Sequence, residues 1–152
     1  MSMSEVLEQT QATGQDLRRL GAEDAAACAD IVMRWIARTP WMKADHRATV
    51  ERALREGLPR REAWGLGTPL KGYISLDVAE GHIGGLYVDQ PGQGLGKLLL
   101  DRVKQGRERL RLNSHLPNKA AHAFYQPEGF VQVREPWSGS DGIDEITMEW
   151  QR

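Results

Sequence analysis

The chain has 152 residues and a mass of 17.1 kDa; 40% of it is hydrophobic, 27% is charged, and the formal net charge is −1. That size and composition describe one soluble globular domain with room for a substantial core. The balanced charge excludes an electrostatic case for nucleic acid, and no apolar run approaches the ~20 residues of a membrane span, so neither is an expected partner.

Residues 1–15 are polar, with no basic start followed by an apolar stretch. They read as an N-terminal extension rather than a signal peptide, which leaves 16–152 as a single domain. Cys28 is the sole cysteine, so an internal disulfide is excluded and a cytoplasmic setting is expected. It lies among Ala25, Ala26, Ala27, Ile31 and Val32, which favours a buried small residue over a nucleophile. The four histidines lack metal-ligand spacing, so no metal is expected.

Leu17–Leu20 suits a short first strand. From about Ala22 to Ile36, apolar residues at Cys28, Ile31, Val32, Trp35 and Ile36 recur at helical spacing, with Glu23 and Asp24 acidic in the first turn. Arg38 to Asp45 reads as a loop punctuated by Pro40. A second helix is predicted from about Asp45 to Glu56, stopped by Gly57 and Pro59. The pattern then changes to three strands, Glu62–Leu66, Gly72–Val78 and His82–Val88, joined by Gly67-Thr-Pro69 and Ala79-Glu-Gly81 as an antiparallel meander. A helix from about Gly94 to Gly106 follows. After it come a strand at Arg109–Asn113, a short helix at Asn118–Gln126, and strands at Phe130–Arg134 and Glu145–Trp150. The order βααβββαβαββ predicts an α+β fold, a mixed sheet with helices packed on it.

Between the third strand of the meander and its helix stands Gln90-Pro-Gly92-Gln93-Gly94-Leu95-Gly96-Lys97. Glycines at alternate positions let successive N–H groups turn toward one anion, and the helix start adds its own unpaired N–H groups and dipole. A P-loop is excluded, because Pro91 stands where its first glycine belongs and Leu98 replaces the hydroxyl. A Rossmann fingerprint is excluded too: Gly92 and Gly94 fit its first half, but Lys97 takes the place of its third glycine.

Two motifs in this order resemble the GNAT N-acetyltransferase superfamily, over roughly Leu17 to the C-terminus. One is Leu86-Tyr87-Val88 followed by Gly94-Leu95-Gly96 and Lys97-Leu98-Leu99-Leu100. The other is Asn118-Lys-Ala-Ala-His-Ala-Phe-Tyr125 followed by Gln-Pro-Glu-Gly129-Phe130. The chain departs from the family at Pro91, where Arg or Gln is usual, and its loop from Val88 to Gly94 is about two residues short. The resemblance implies a GNAT-like fold with a splayed central sheet and acetyl-CoA as co-substrate. Leu86, Tyr87 and Val88 would meet the pantetheine arm, and Gly92, Gln93, Gly94, Leu95, Gly96 and Lys97 the pyrophosphate. Asn118 would bond the arm or simply cap its helix.

For catalysis the resemblance implies that the Val88 N–H polarises the thioester carbonyl and that Tyr125 protonates the departing thiolate. The general base is left open between His82, Glu80, Asp77 and a water chain. The acceptor wall would come from the loops carrying Trp41 and Trp137, with Asp141 and Asp144 nearby. This suits a cationic amine with an apolar body, unless the two tryptophans only cover core edges. The expected function is transfer of the acetyl group to a primary amine of a small molecule or peptide. The alternative is a non-catalytic acyl-CoA-binding sensor or partner subunit. A homodimer stays open.

Overall fold

A computed structural model describes residues 17–152; the expected N-terminal extension lies outside these described residues. The first strand, β1 (Leu17–Arg19), runs into a single 3-10 turn at Ala22–Asp24 and then helix α1 (Ala25–Ala37). The predicted helix over 22–36 is therefore two pieces. Asp24 causes the break: its carboxylate accepts the Gly21 N–H at 2.9 Å and pairs with Arg18 at 3.0 Å, which pins the entry turn. Helix α2 (Arg47–Gly57) ends in a 3-10 turn at Leu58–Arg60, where Pro59 fits the first turn.

Strands β2 (Glu62–Leu66), β3 (Gly72–Asp77) and β4 (His82–Val88) form the expected meander with β1, all antiparallel. Helix α3 (Leu95–Lys104), β5 (Arg109–His115), helix α4 (Lys119–Tyr125), β6 (Val131–Ser138) and β7 (Asp144–Gln151) complete the chain. The seven strands lie in the order β1-β2-β3-β4-β5-β7-β6, so the last strand inserts between β5 and β6.

Two expectations need correcting. Strand β5 continues past Asn113 to His115, paired to the end with β7. Strand β6 runs to Ser138, so Trp137 is a strand residue opposite Glu145 rather than part of a loop, and Asp144 opens β7. The register of β6 shifts twice, between Gln132 and Arg134 and between Arg134 and Trp137. Those irregularities destroy the alternation by which a strand is recognised, and Pro136 is tolerated because β6 is an edge.

Each face of the sheet carries its own core. On one face, Leu95, Leu99, Leu100 and Val103 of α3 pack with Ile74, Leu76, Ile83, Leu110, Leu112, Phe130 and Met148. On the other, Cys28, Ile31 and Val32 of α1 pack with Leu58, Ala63 and Tyr73. A bulge at Gly84 keeps the two faces in phase. Ile83 opposes Leu76, but the next pair is Gly85 with Ser75, so beyond Gly84 the alternation is reset. Leu86 then joins Ile74 on the α3 face while Tyr87 joins Tyr73 on the α1 face. Without that one extra residue Tyr87 would point into the wrong core.

The feature that makes a site is the junction of β4 and β5. These strands run parallel, yet pair only at His82 with Arg111 and Ile83 with Leu112. Beyond Gly84 they have no mutual pairs, and the sheet opens into a wedge.

Candidate active site in the splayed sheet

Antiparallel pairing decides which backbone groups face the wedge. The Asp89 N–H donates to Lys71 O at 2.8 Å, and Gly72 is paired with Val88 and Tyr73 with Tyr87. Hydrogen-bonded and non-bonded pairs alternate along such a ladder, so Tyr87 turns its N–H and C=O toward β3, while Leu86 and Val88 turn theirs away from it. Beyond them lies the wedge, where β5 supplies no partner. The Val88 carbonyl is met by Arg38 Nη2 at 2.9 Å, which leaves the N–H groups of Leu86 and Val88 and the Leu86 carbonyl facing the gap. Such a row of groups, unpaired among the described residues, is costly to bury without a ligand and well suited to an extended amide-bearing chain.

The glycine loop begins at Asp89, held to α1 by a bidentate pair with Arg34 at 2.7 and 2.9 Å. Gly92 (φ 88°) and Gly94 (φ 79°) both adopt the left-handed conformation, and a Cβ at either would meet nothing within 4 Å among the described residues. Glycine is required there for backbone handedness, and no described residue covers the loop at these positions. The first α3 turn bonds back through the Leu98 N–H to Gly94 O at 3.2 Å, so the N–H groups of Gly96 and Lys97 find no carbonyl within the helix. Gly96 also seats α3 against Phe124 of α4, whose ring lies 3.2 Å from a Cβ placed there. The Lys97 ammonium turns to Glu128 at 3.1 Å and Asp101 at 3.3 Å, both of which push its pKa up. Its backbone rather than its side chain faces the loop. Gln93 Nε2 donates to Gln90 Oε1 at 3.0 Å, stiffening the segment around Pro91.

These residues fit acetyl-CoA: a strand edge of unpaired N–H groups, an open left-handed glycine turn and the positive end of a helix lie in sequence along one gap.

Tyr125 ends α4 with its ring buried against Phe124 and Phe130, at 5.1 and 5.3 Å between centroids. Burial raises its pKa, with a smaller push from Tyr87. Its hydroxyl bonds to no protein group among the described residues. Asn118 caps α4, its side-chain oxygen accepting the Ala121 N–H at 3.2 Å.

On the α1 face, aromatic rings bridge the wedge. Tyr87 of β4 meets Trp35 of α1 at 5.4 Å, Trp35 meets Trp41 of the α1–α2 loop at 5.7 Å, and Trp41 meets His115 of β5 at 5.3 Å. The arc ends in a hydrogen bond: His115 Nε2 lies 2.7 Å from Asp141 Oδ2. The Ile143 N–H donates to the other Asp141 oxygen at 3.0 Å, and these two bonds, the backbone one first, hold that carboxyl below its usual range. Beside the arc, Val50, Leu54, Arg61, Tyr73, Gly84 and Gly85 border a cleft of about 340 Å³, with Arg61 Nη1 filling the space where Gly84 lacks a side chain.

The structure thus sets Leu86, Tyr87 and Val88 along β4 and links Tyr87 through the aromatic arc to Trp41 and on to Asp141, while Tyr125 lies buried against Phe124 and Phe130 at the end of α4. Trp137 stands further along the same face, where its Nε1 donates to Thr147 Oγ1 at 3.4 Å and Thr147 donates to Asn113 Oδ1 at 2.9 Å. His82 is not brought to this group. It sits at the closed end of β4, six residues and so roughly 20 Å of strand from Val88. Burial first, then Arg111 and Arg61, depress its pKa. Asp77 caps its own hairpin through the Glu80 N–H at 3.2 Å, and Glu80 lies 3.8 Å from Arg111. His115 is the residue that sequence reasoning missed. Extending the alternation Leu110, Leu112, Ser114 by one residue would have placed it on the exposed face of β5, beside Arg111 and Asn113.

Comparison with known proteins agrees with this geometry. The family profile described as "Acetyltransferase (GNAT) domain" matches residues 43–152. No curated protein sequence matches. Among solved structures, apo YjaB from Escherichia coli superposes with a TM-score of 0.70 at 22% identity, covering 88% of this chain and 95% of that one. Ard1 from Thermoplasma volcanium gives 0.66 at 21% identity, with 89% and 95% covered. The putative acetyltransferase yncA from Salmonella typhimurium, solved with acetyl-CoA, gives 0.63 at 19% identity, with 89% and 92% covered. With its profile match spanning most of its length and its sheet splayed beside a glycine turn, the chain belongs to the GNAT family of acetyltransferases.

Proposed function

We propose that this enzyme transfers the acetyl group of acetyl-CoA to a primary amine of a small molecule or peptide. The observation that carries the reading is the β4 edge, where Leu86 and Val88 turn N–H groups without partners among the described residues into the wedge. The loop from Gly92 to Lys97 holds the pyrophosphate through backbone N–H groups, which do not depend on the side chain that Pro91 replaces. The Val88 N–H stabilises the charge that develops on the thioester oxygen, a contribution of about 3 kcal/mol in comparable sites. Tyr125 gives its phenolic proton to the departing sulfur as the carbon–sulfur bond breaks, and regains one from the nitrogen that has just bonded to the carbonyl carbon. Burial keeps this phenol protonated until then. The same burial raises the proton affinity of a thiolate formed beside it, so the two groups stay matched.

Calorimetric titration of acetyl-CoA into the wild type and Gly94→Glu is the first test. Binding that is lost in the variant places the pyrophosphate on this loop. A folded wild type that binds no acetyl-CoA overturns the reading. Tyr125→Phe keeps the core ring, so acetyl-CoA affinity is expected to hold while kcat falls about 10²–10⁴-fold. Acetyl-CoA binding without thiol release for any amine would leave a sensor rather than a transferase.

A further inference from the structure

We infer that His115, oriented by Asp141, is the group that takes the proton from the incoming ammonium; this rests on the acetyl-transfer reading above. An ammonium has no lone pair, so a base must act before the carbon–nitrogen bond can form. Three observations place His115 in that role. It stands at the last residue of β5 on the face that carries α1, across the wedge from Leu86 and Val88. Its ring is fixed from both sides, by Trp41 at 5.3 Å and by the Asp141 carboxylate at 2.7 Å, and that carboxylate is itself fixed by the Ile143 N–H. An ionised carboxylate only accepts, so Nε2 carries the hydrogen and Nδ1 is the nitrogen with a lone pair. Nδ1 has no hydrogen-bond partner among the described residues.

The charged surroundings are mixed. Glu145 lies opposite His115 on β7, and Lys43 Nζ stands 3.7 Å from the position a Cβ would take on Gly142, next to Asp141. An amine bound in the wedge beside Trp41 meets His115 at the end of β5. There the ammonium proton moves to Nδ1 and the nitrogen lone pair bonds to the thioester carbon. The carbon–sulfur electrons leave with sulfur, which is protonated from Tyr125. The second nitrogen proton restores the phenol, and His115 releases its proton to water.

His115→Gln separates catalysis from architecture, because the glutamine amide can still donate to Asp141 from the Nε2 position but offers no basic nitrogen. The probes are benzylamine, protonated at neutral pH, and O-benzylhydroxylamine, of similar shape but largely unprotonated; the readout is thiol release from acetyl-CoA. The expected result is unchanged acetyl-CoA affinity, a 10²–10⁴-fold loss of kcat/KM with benzylamine, a loss below tenfold with O-benzylhydroxylamine, and partial rescue by added imidazole. Asp141→Asn should show the same selective loss to a lesser degree. An equal loss with both nucleophiles would mean that the pair only staples the β6–β7 loop, and a benzylamine rate untouched in His115→Gln would overturn the assignment outright. Where neither amine is turned over, slow acetyl-CoA hydrolysis is read instead, since water then needs the same base, and a wild-type hydrolysis rate in His115→Gln overturns it as well. A wild type that binds no acetyl-CoA fails the acetyl-transfer reading itself, a different result from any of these.

Discussion

Cys28 and His115 show opposite limits of reading single residues. Cys28 was legible: apolar neighbours at helical spacing predict a buried thiol, and the residue is fully buried on α1. Burial, assisted by Asp24 and opposed by Arg18, pushes its pKa up to about 12, so the thiolate that would react is almost absent at neutral pH. A native sample should leave 5,5′-dithiobis(2-nitrobenzoate) unreacted over the minutes of a transfer assay and release one thiol per chain on unfolding in guanidinium. Rapid reaction of the native chain would contradict the burial. His115 was not legible, because its meaning lies in Asp141, 26 residues away in sequence and brought to it only by the β6–β7 connection. A lone histidine in a polar stretch carries no signal of its partner. Asp141, expected beside the acceptor, lies 2.7 Å from His115 Nε2.

At the scale of elements, α1 does more than cover the sheet. Its last turns send Arg34 to Asp89, the first loop residue, and Arg38 to the Val88 carbonyl. These contacts tie the exposed end of β4 to a rigid helix where β5 has stopped supporting it. Arg34 is half exposed, so the pair adds no more than about 1 kcal/mol to stability. Its effect should appear in binding, which needs the loop ordered. Arg34→Gln is expected to weaken acetyl-CoA about 3–10-fold by calorimetry while Tm moves by less than about 3 °C. Unchanged affinity would show that the loop holds its shape without the helix. The regular elements were readable from periodicity alone: the meander, the glycine turn and α3 lie within two residues of expectation. Register shifts hid the extent of β6, and the Gly84 bulge leaves no mark beyond a pair of adjacent glycines, which a flexible strand end would also show. Yet that bulge is what aims Tyr87 at Trp35 and begins the arc to His115.

For the whole molecule, the fold holds two cores on either side of a sheet that comes apart in the middle. The β4–β5 junction keeps only two residue pairs, so little backbone pairing joins the meander half to the half made by β5, β6 and β7. Helix α3 supplies the rest of the union: Leu99 and Leu100, both fully buried, pack in one core with Ile74 of β3 and Leu110 of β5. A molecule built this way should gain from any ligand that fills the wedge, since the ligand adds backbone partners where the protein has none. At a hundred times its Kd, acetyl-CoA would stabilise the native state by about 2.7 kcal/mol, which corresponds to roughly 5–10 °C in Tm for a chain of this length. Where the protection falls is the sharper test. Amide hydrogen exchange of Leu86, Val88, Gly96 and Lys97 should slow markedly on binding, because these N–H groups face the gap or the helix start without a partner among the described residues. The Tyr87 amide, bonded to β3, should respond only through the rise in global stability. Protection confined to the glycine loop, with Leu86 and Val88 unaffected, would mean that the ligand is held by its phosphates alone and that the wedge does not receive the pantetheine arm.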